Sequence, residues 1–175
     1  MKKMIFVTVL VLLVGSLLAL PENTGKKKGC YTQVEKFMAD YYMDYNQYTQ
    51  DAGTIDLMDK YWAPEFIAIT FLPLPEYPVL DLPAWKNFLI GVHLGMIETL
   101  TLDELSIDTK KLTAAARINI EFHDRMTGDL ILNIDGIAFY NLKIEKKHKL
   151  KMTCLKLYVS DPEALMQISG PPPGF

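Results

Sequence analysis

The hydrophobic pattern of the chain changes period near residue 99. Before that point apolar positions recur every three or four residues, and after it they recur every two. From Tyr31 to about Gln50 the stripe Val34, Met38, Tyr41, Tyr45 and Tyr48 predicts an amphipathic helix with an unusually aromatic face. Asp51-Ala52-Gly53 breaks it, and Thr54 is the expected N-cap of a short second helix carrying Ile55, Met58, Tyr61 and Trp62. Pro64 should end that helix, because the residue before a proline avoids helical angles. Phe66 to Phe71 then reads as a short strand and proline-rich Leu72 to Leu82 as a loop. A third helix is expected from near Asp81, burying Trp85, Phe88, Leu89, Val92, Met96 and Ile97.

Beyond Thr99 the pattern predicts strands. Leu100, Leu102, Leu105 and Ile107 mark one. Leu112, Ala114, Ala116, Ile118, Ile120 and Phe122 alternate with mostly polar residues in the next, and this is the clearest half-buried strand in the chain. Arg125 to Asp129 reads as a turn, Leu130 to Leu142 and Lys149 to Val159 as further strands, with Asp161-Pro162 ending the sheet. Helices first and antiparallel strands after them define an α+β class, a curved, mostly antiparallel sheet with three helices from the N-terminal half on its concave face.

The N-terminus stands outside this pattern. Lys2 and Lys3 precede the uncharged run Ile5 to Leu20, with Ala19 as a small residue near its end. That order is the secretory-signal pattern, so residues 1–20 are expected to direct export. A membrane-spanning helix needs roughly 17–25 apolar residues, which leaves a retained anchor as the alternative. Lys26-Lys27-Lys28, just downstream, would then sit on the side where positive residues are disfavoured, and this favours cleavage. Residues 21–30 read as a flexible leader, 31–162 as the folded domain and 163–175 as a disordered tail.

A net charge of −3 gives no electrostatic case for nucleic acid, and the lysines of 145–151 read as a solvated hairpin. Cys30 and Cys154 either bridge, as an oxidising compartment permits, or Cys154 remains a buried thiol. Scattered His93, His123 and His148 form no metal motif, and no nucleotide or cofactor motif is present. No cofactor is therefore expected.

The segment Gly53 to Phe66 (GTIDLMDKYWAPEF), the turn at Thr127-Gly128, the strand Ile134-Asp135-Gly136-Ile137-Ala138-Phe139 and the closing Lys143-Ile144 and Asp161-Pro162 together resemble the SnoaL-like branch of the nuclear transport factor 2-like superfamily. The resemblance implies the cystatin-like cone with a pocket inside. It also implies chemistry as varied as cyclisation, isomerisation, dehydration, epoxide hydrolysis and plain binding, so function must be argued from the site.

Asp135 is the leading candidate. Strand alternation places it with Ile131, Asn133, Ile137 and Phe139, and a carboxylate in apolar company is costly to ionise unless paired, so it would suit acid–base work. The resemblance puts a functional aspartate at the same place. Asn133 would orient it, Tyr42 or Tyr45 would supply a phenol, and Trp62 and His93 complete the expected ligand-binding set, although His93 fits a helix-surface position better. At Thr70, where the isomerases' base would fall, a threonine cannot take that role. Two functions follow. One is an exported module that binds a small apolar ligand or a partner without turnover. The other is a cofactor-independent lyase, cyclase or isomerase using Asp135. The polar strand face of Arg117, Asn119, Glu121 and His123 offers a surface for a homodimer, and membrane contact is expected only if residues 1–20 are retained.

Overall fold

A computed structural model of the chain describes residues 24–71 and 78–169. The expected signal at 1–20 lies outside them. Helix α1 (Thr24–Thr49) is followed by a 3-10 helix (Ala52–Lys60), strand β1 (Trp62–Thr70), short β2 (Val79–Asp81) and helix α2 (Leu82–Gly95). Strands β3 (Met96–Asp108), β4 (Thr113–Asp124), β5 (Leu130–Ile144) and β6 (Leu150–Val159) come next, and helix α3 (Pro162–Ser169) closes the described chain. The six strands form one curved sheet in the order β2-β1-β6-β5-β4-β3, antiparallel throughout except where β1 runs parallel to β6.

The change of period marks the boundary between helices and sheet. On α1, Val34, Met38, Tyr41, Tyr45 and Tyr48 are all buried, joined by Tyr42. They pack on the inner face of the sheet, where Ala114, Ala116, Ile118, Ile120 and Phe122 of β4 lie beside Ile134, Ala138 and Tyr140 of β5. Polar bonds fix the helix to the sheet edge. Asn46 Nδ2 donates to Leu100 O (2.9 Å) and Asn46 Oδ1 accepts from Leu100 N (2.8 Å), so one side chain serves as an extra strand partner for β3.

Several boundaries differ from the sequence expectation, each for a local reason. The segment 24–30 is the first part of α1 and not a flexible leader. Asp51, not Thr54, caps the second helix, its Oδ1 accepting from Gly53 N at 3.0 Å. That helix ends at Lys60, and Trp62 and Pro64 belong to β1. Proline has no N–H to donate to a ladder, and the β1–β6 register is broken between Trp62 and Ile67, which accommodates Pro64. Met96 and Ile97 begin β3 instead of ending α2. The expected tail contains α3, whose start is marked by Asp161 accepting from Ala164 N at 2.9 Å and by Pro162 at its first position.

Candidate functional site

The inner face of the sheet and the helices above it enclose a cavity of about 60 Å3. One water needs roughly 10–15 Å3 and an apolar site that takes benzene about 150 Å3, so the space holds a few waters and is smaller than a ring requires. Tyr41 and Tyr45 of α1, Trp85 and Phe88 of α2, and Tyr140 of β5 supply aromatic walls. Leu165 and Ser169 of α3 lie across one side. Two polar groups stand out among the lining residues, Glu98 of β3 and Thr70 of β1.

Glu98 is only 8 % exposed. A buried carboxylate requires hydrogen-bond donors, and it has two on one oxygen. Tyr45 Oη donates to Oε2 at 2.6 Å, and His93 Nε2 lies 2.8 Å from the same atom. An ionised carboxylate only accepts, so Nε2 then carries the hydrogen, and the Nε2–H tautomer of His93 would accept at Nδ1 from Tyr48 Oη, 2.6 Å away. Thr49 Oγ1 donates to the backbone carbonyl of Glu98 at 2.7 Å. The result is a continuous chain Tyr48–His93–Glu98–Tyr45, in which both side-chain bonds to the carboxylate converge on Oε2. Burial and then the Glu98 charge push the Tyr45 phenol well above its ordinary range, and burial does the same for Tyr41 and Tyr140. All three remain neutral hydrogen-bond donors at physiological pH.

Thr70 is buried, and its hydroxyl has no hydrogen-bond partner among the described residues. The indole N–H of Trp85 is likewise buried and unpaired. Leaving such groups unpaired costs roughly 1–3 kcal/mol each, and both side chains line the cavity.

The residues expected to form the site divide sharply. Asp135 and Asn133 do not face the cavity. Both are exposed on the outer face of β5, where Asn119 Nδ2 donates to Asn133 Oδ1 (2.7 Å) and to Asp135 Oδ1 (3.3 Å). The alternation of β5 is as expected, but the buried set is Ile134, Gly136, Ala138, Tyr140 and Leu142. Trp62 is buried against Phe66, their rings 5.7 Å apart, and borders a separate groove beside Ile55 and Leu82. Tyr42 stands one layer behind the cavity, sharing a 2.6 Å hydrogen bond with the hydroxyl of Tyr140. Tyr45 lines the cavity, as expected. His93 is 0 % exposed rather than on the helix surface, and it reaches the cavity through Glu98. Glu98 itself was missed. Its signal is parity, since Met96, Glu98, Leu100 and Leu102 share one strand face, and a lone carboxylate in that row marks a buried charge.

Cys30 lies on α1 and Cys154 in β6, both as free thiols. Among the described residues no group of three or more His, Cys, Asp or Glu side chains is placed to hold a metal ion, and no helix is long and apolar enough to cross a membrane.

No protein-family model matches the chain, and no curated protein does. Solved structures do match. A protein assigned as a SnoaL-like polyketide cyclase from Jannaschia sp. CCS1 superposes with a TM-score of 0.58 at 10% identity, covering 81% of this chain and 94% of its own. A nuclear transport factor 2-like protein of unknown function from Shewanella baltica OS155 gives 0.53 at 15% identity, covering 74% and 95%. A protein with a cystatin-like fold from Methylobium petroleophilum PM1 gives 0.55 at 15%, covering 75% and 78%. The chain therefore has the cone-shaped α+β fold of SnoaL-like and nuclear transport factor 2-like proteins. At these identities the likeness concerns the fold.

Proposed function

We propose that the protein takes a small, largely apolar molecule of a few heavy atoms into the cone and moves a proton on it with Glu98. The observation that carries this reading is the buried Glu98 carboxylate, lining an aromatic cavity and backed by His93 and Tyr45. Pre-set donors on Oε2 hold the carboxylate in one orientation, as a general base requires. Oε1 takes a proton from a C–H or O–H of the bound molecule, and the resulting carboxylic acid returns it to a neighbouring atom. Isomerisation, ring closure and loss of water are all reachable by such a step without a cofactor. Among the described residues the pocket lining includes no lysine or arginine, which disfavours an anionic ligand.

The test is a panel of small uncharged ketones, hydroxyketones and lactones of a few heavy atoms, screened by quenching of tryptophan fluorescence and then for turnover. A ligand that binds both the natural protein and Glu98→Gln, and is converted only by the former, supports the reading. Conversion that survives Glu98→Gln sinks it. Binding with no conversion by the natural protein indicates a carrier instead.

Two further proposals complete the picture. Export through residues 1–20 places this chemistry outside the cytoplasm, and N-terminal sequencing of the secreted protein checks it. A homodimer through the outer sheet face is supported by exposed Ile137, Phe139 and Tyr158, with Phe71 stacked on Tyr158 at 3.8 Å. Light scattering on Ile137→Asp against the natural chain tests that contact.

A further inference from the structure

We infer that Arg125, in the turn between β4 and β5, is the positioning residue that sets the His93–Glu98 contact. This rests on the proton-transfer reading for its purpose, but its geometry stands alone. A helix leaves its last carbonyls without partners, and the C-terminal ends of α1 and α2 meet beside this turn. Arg125 Nε donates to His93 O at 2.9 Å, Nη1 to Gln50 O at 2.6 Å, and Nη2 to Thr49 O and to Met96 O, the last at 3.1 Å. The backbone N–H of Arg125 donates to Gly95 O at 3.0 Å.

These acceptors are not a random set of carbonyls. Thr49 and Gln50 follow Tyr48, His93 is itself a member of the hydrogen-bonded chain, and Met96 lies two residues before Glu98. One planar guanidinium therefore fixes the backbone beside three of the four side chains in the network. The rigid fork of arginine reaches divergent acceptors that the single ammonium of lysine cannot reach together. Its charge also complements the negative ends of both helices. The polar and charged groups around His93 are Tyr45 and Tyr48 on α1, Glu98 on β3 and Arg125 on the turn, so a change at Arg125 should be visible at the imidazole. The turn itself is independently built, with Asp124 Oδ1 accepting from Met126 N and Thr127 N at 2.8 Å each and Gly128 at a φ of 77°.

The experiment is ring-nitrogen NMR on the full chain with labelled histidine, of which there are three. In the natural protein His93 should show a single tautomer with hydrogen on Nε2. In Arg125→Lys and Arg125→Met that tautomer should be lost to a mixture, while His148, remote from the turn, keeps its signal. A folded Arg125→Lys with the His93 tautomer intact overturns the inference and reduces Arg125 to a stability element. Where a variant does not fold, hydrogen exchange in the natural protein decides. The Arg125 Nε–H should exchange only with the opening that frees the His93 amide, and faster, independent exchange refutes positioning. Turnover that survives Glu98→Gln would remove the proton-transfer reading without touching either result.

Discussion

His93 Nε2 lies 2.8 Å from Glu98 Oε2 across the junction where α2 gives way to β3. The two are five positions apart in sequence, and Tyr45 reaches the same oxygen from α1 at 2.6 Å. Glu98→Gln keeps the shape but replaces the charged acceptor. Hydrogen bonds to charged groups contribute about 1.5–3 kcal/mol each, so the substitution should lower stability by about 1–3 kcal/mol in a urea titration. An unchanged midpoint would mean that Glu98 is not charged in the folded protein.

Tyr42 and Tyr140 share one hydrogen bond in the core. Phenylalanine at either position should cost roughly 1 kcal/mol or somewhat more, because the remaining hydroxyl is left buried without a partner. The double substitution should cost clearly less than the two single ones summed. Additive costs in the double-mutant cycle would show that the bond is not formed.

Burial raises the phenols of Tyr41, Tyr42, Tyr45, Tyr48 and Tyr140 above their ordinary value. A folded-state value above the unfolded one gives a contribution that is intact below the unfolded pKa of about 10 and declines as pH rises beyond it. Stability should therefore hold through neutral pH and fall on the alkaline side. Ultraviolet titration should show these phenols ionising together with unfolding, and early, smooth ionisation of all tyrosines would contradict the packing described.

Thr70→Val removes a buried hydroxyl that has no partner. With the desolvation penalty of about 1–3 kcal/mol relieved, the variant should be as stable as the natural protein or more so by denaturant titration. A marked loss of stability would reveal a partner for the hydroxyl.

The sequence pattern conveyed the sheet better than the site. On β4 one face is aliphatic and the other largely polar, and alternation alone chose the buried side. On β5 both faces carry apolar residues: Ile131, Ile137 and Phe139 outside, Ile134, Ala138, Tyr140 and Leu142 inside. Period two cannot rank such faces, and Asp135 was placed on the wrong one. The register against β4 decides, because Ile134 pairs with buried Ile120 and Ala138 with Ala116. α3 was legible locally. Asp161 followed by Pro162 and Glu163 is a helix start, but the glycines and prolines that follow made the whole segment resemble a tail. The His93–Glu98 pair needed a tertiary fact, namely that α1 covers the α2–β3 junction and seals both groups from water.

The parallel pairing of β1 with β6 has a further consequence for how the polypeptide is made. Ala68 is aligned with Leu155, so the first long strand has no neighbour on that side until nearly the whole chain has left the ribosome. Contacts that distant in sequence slow folding. The same delay keeps the newly made chain unstructured for longer, which would suit the export proposed for residues 1–20, since an exported chain is threaded through a membrane before it folds.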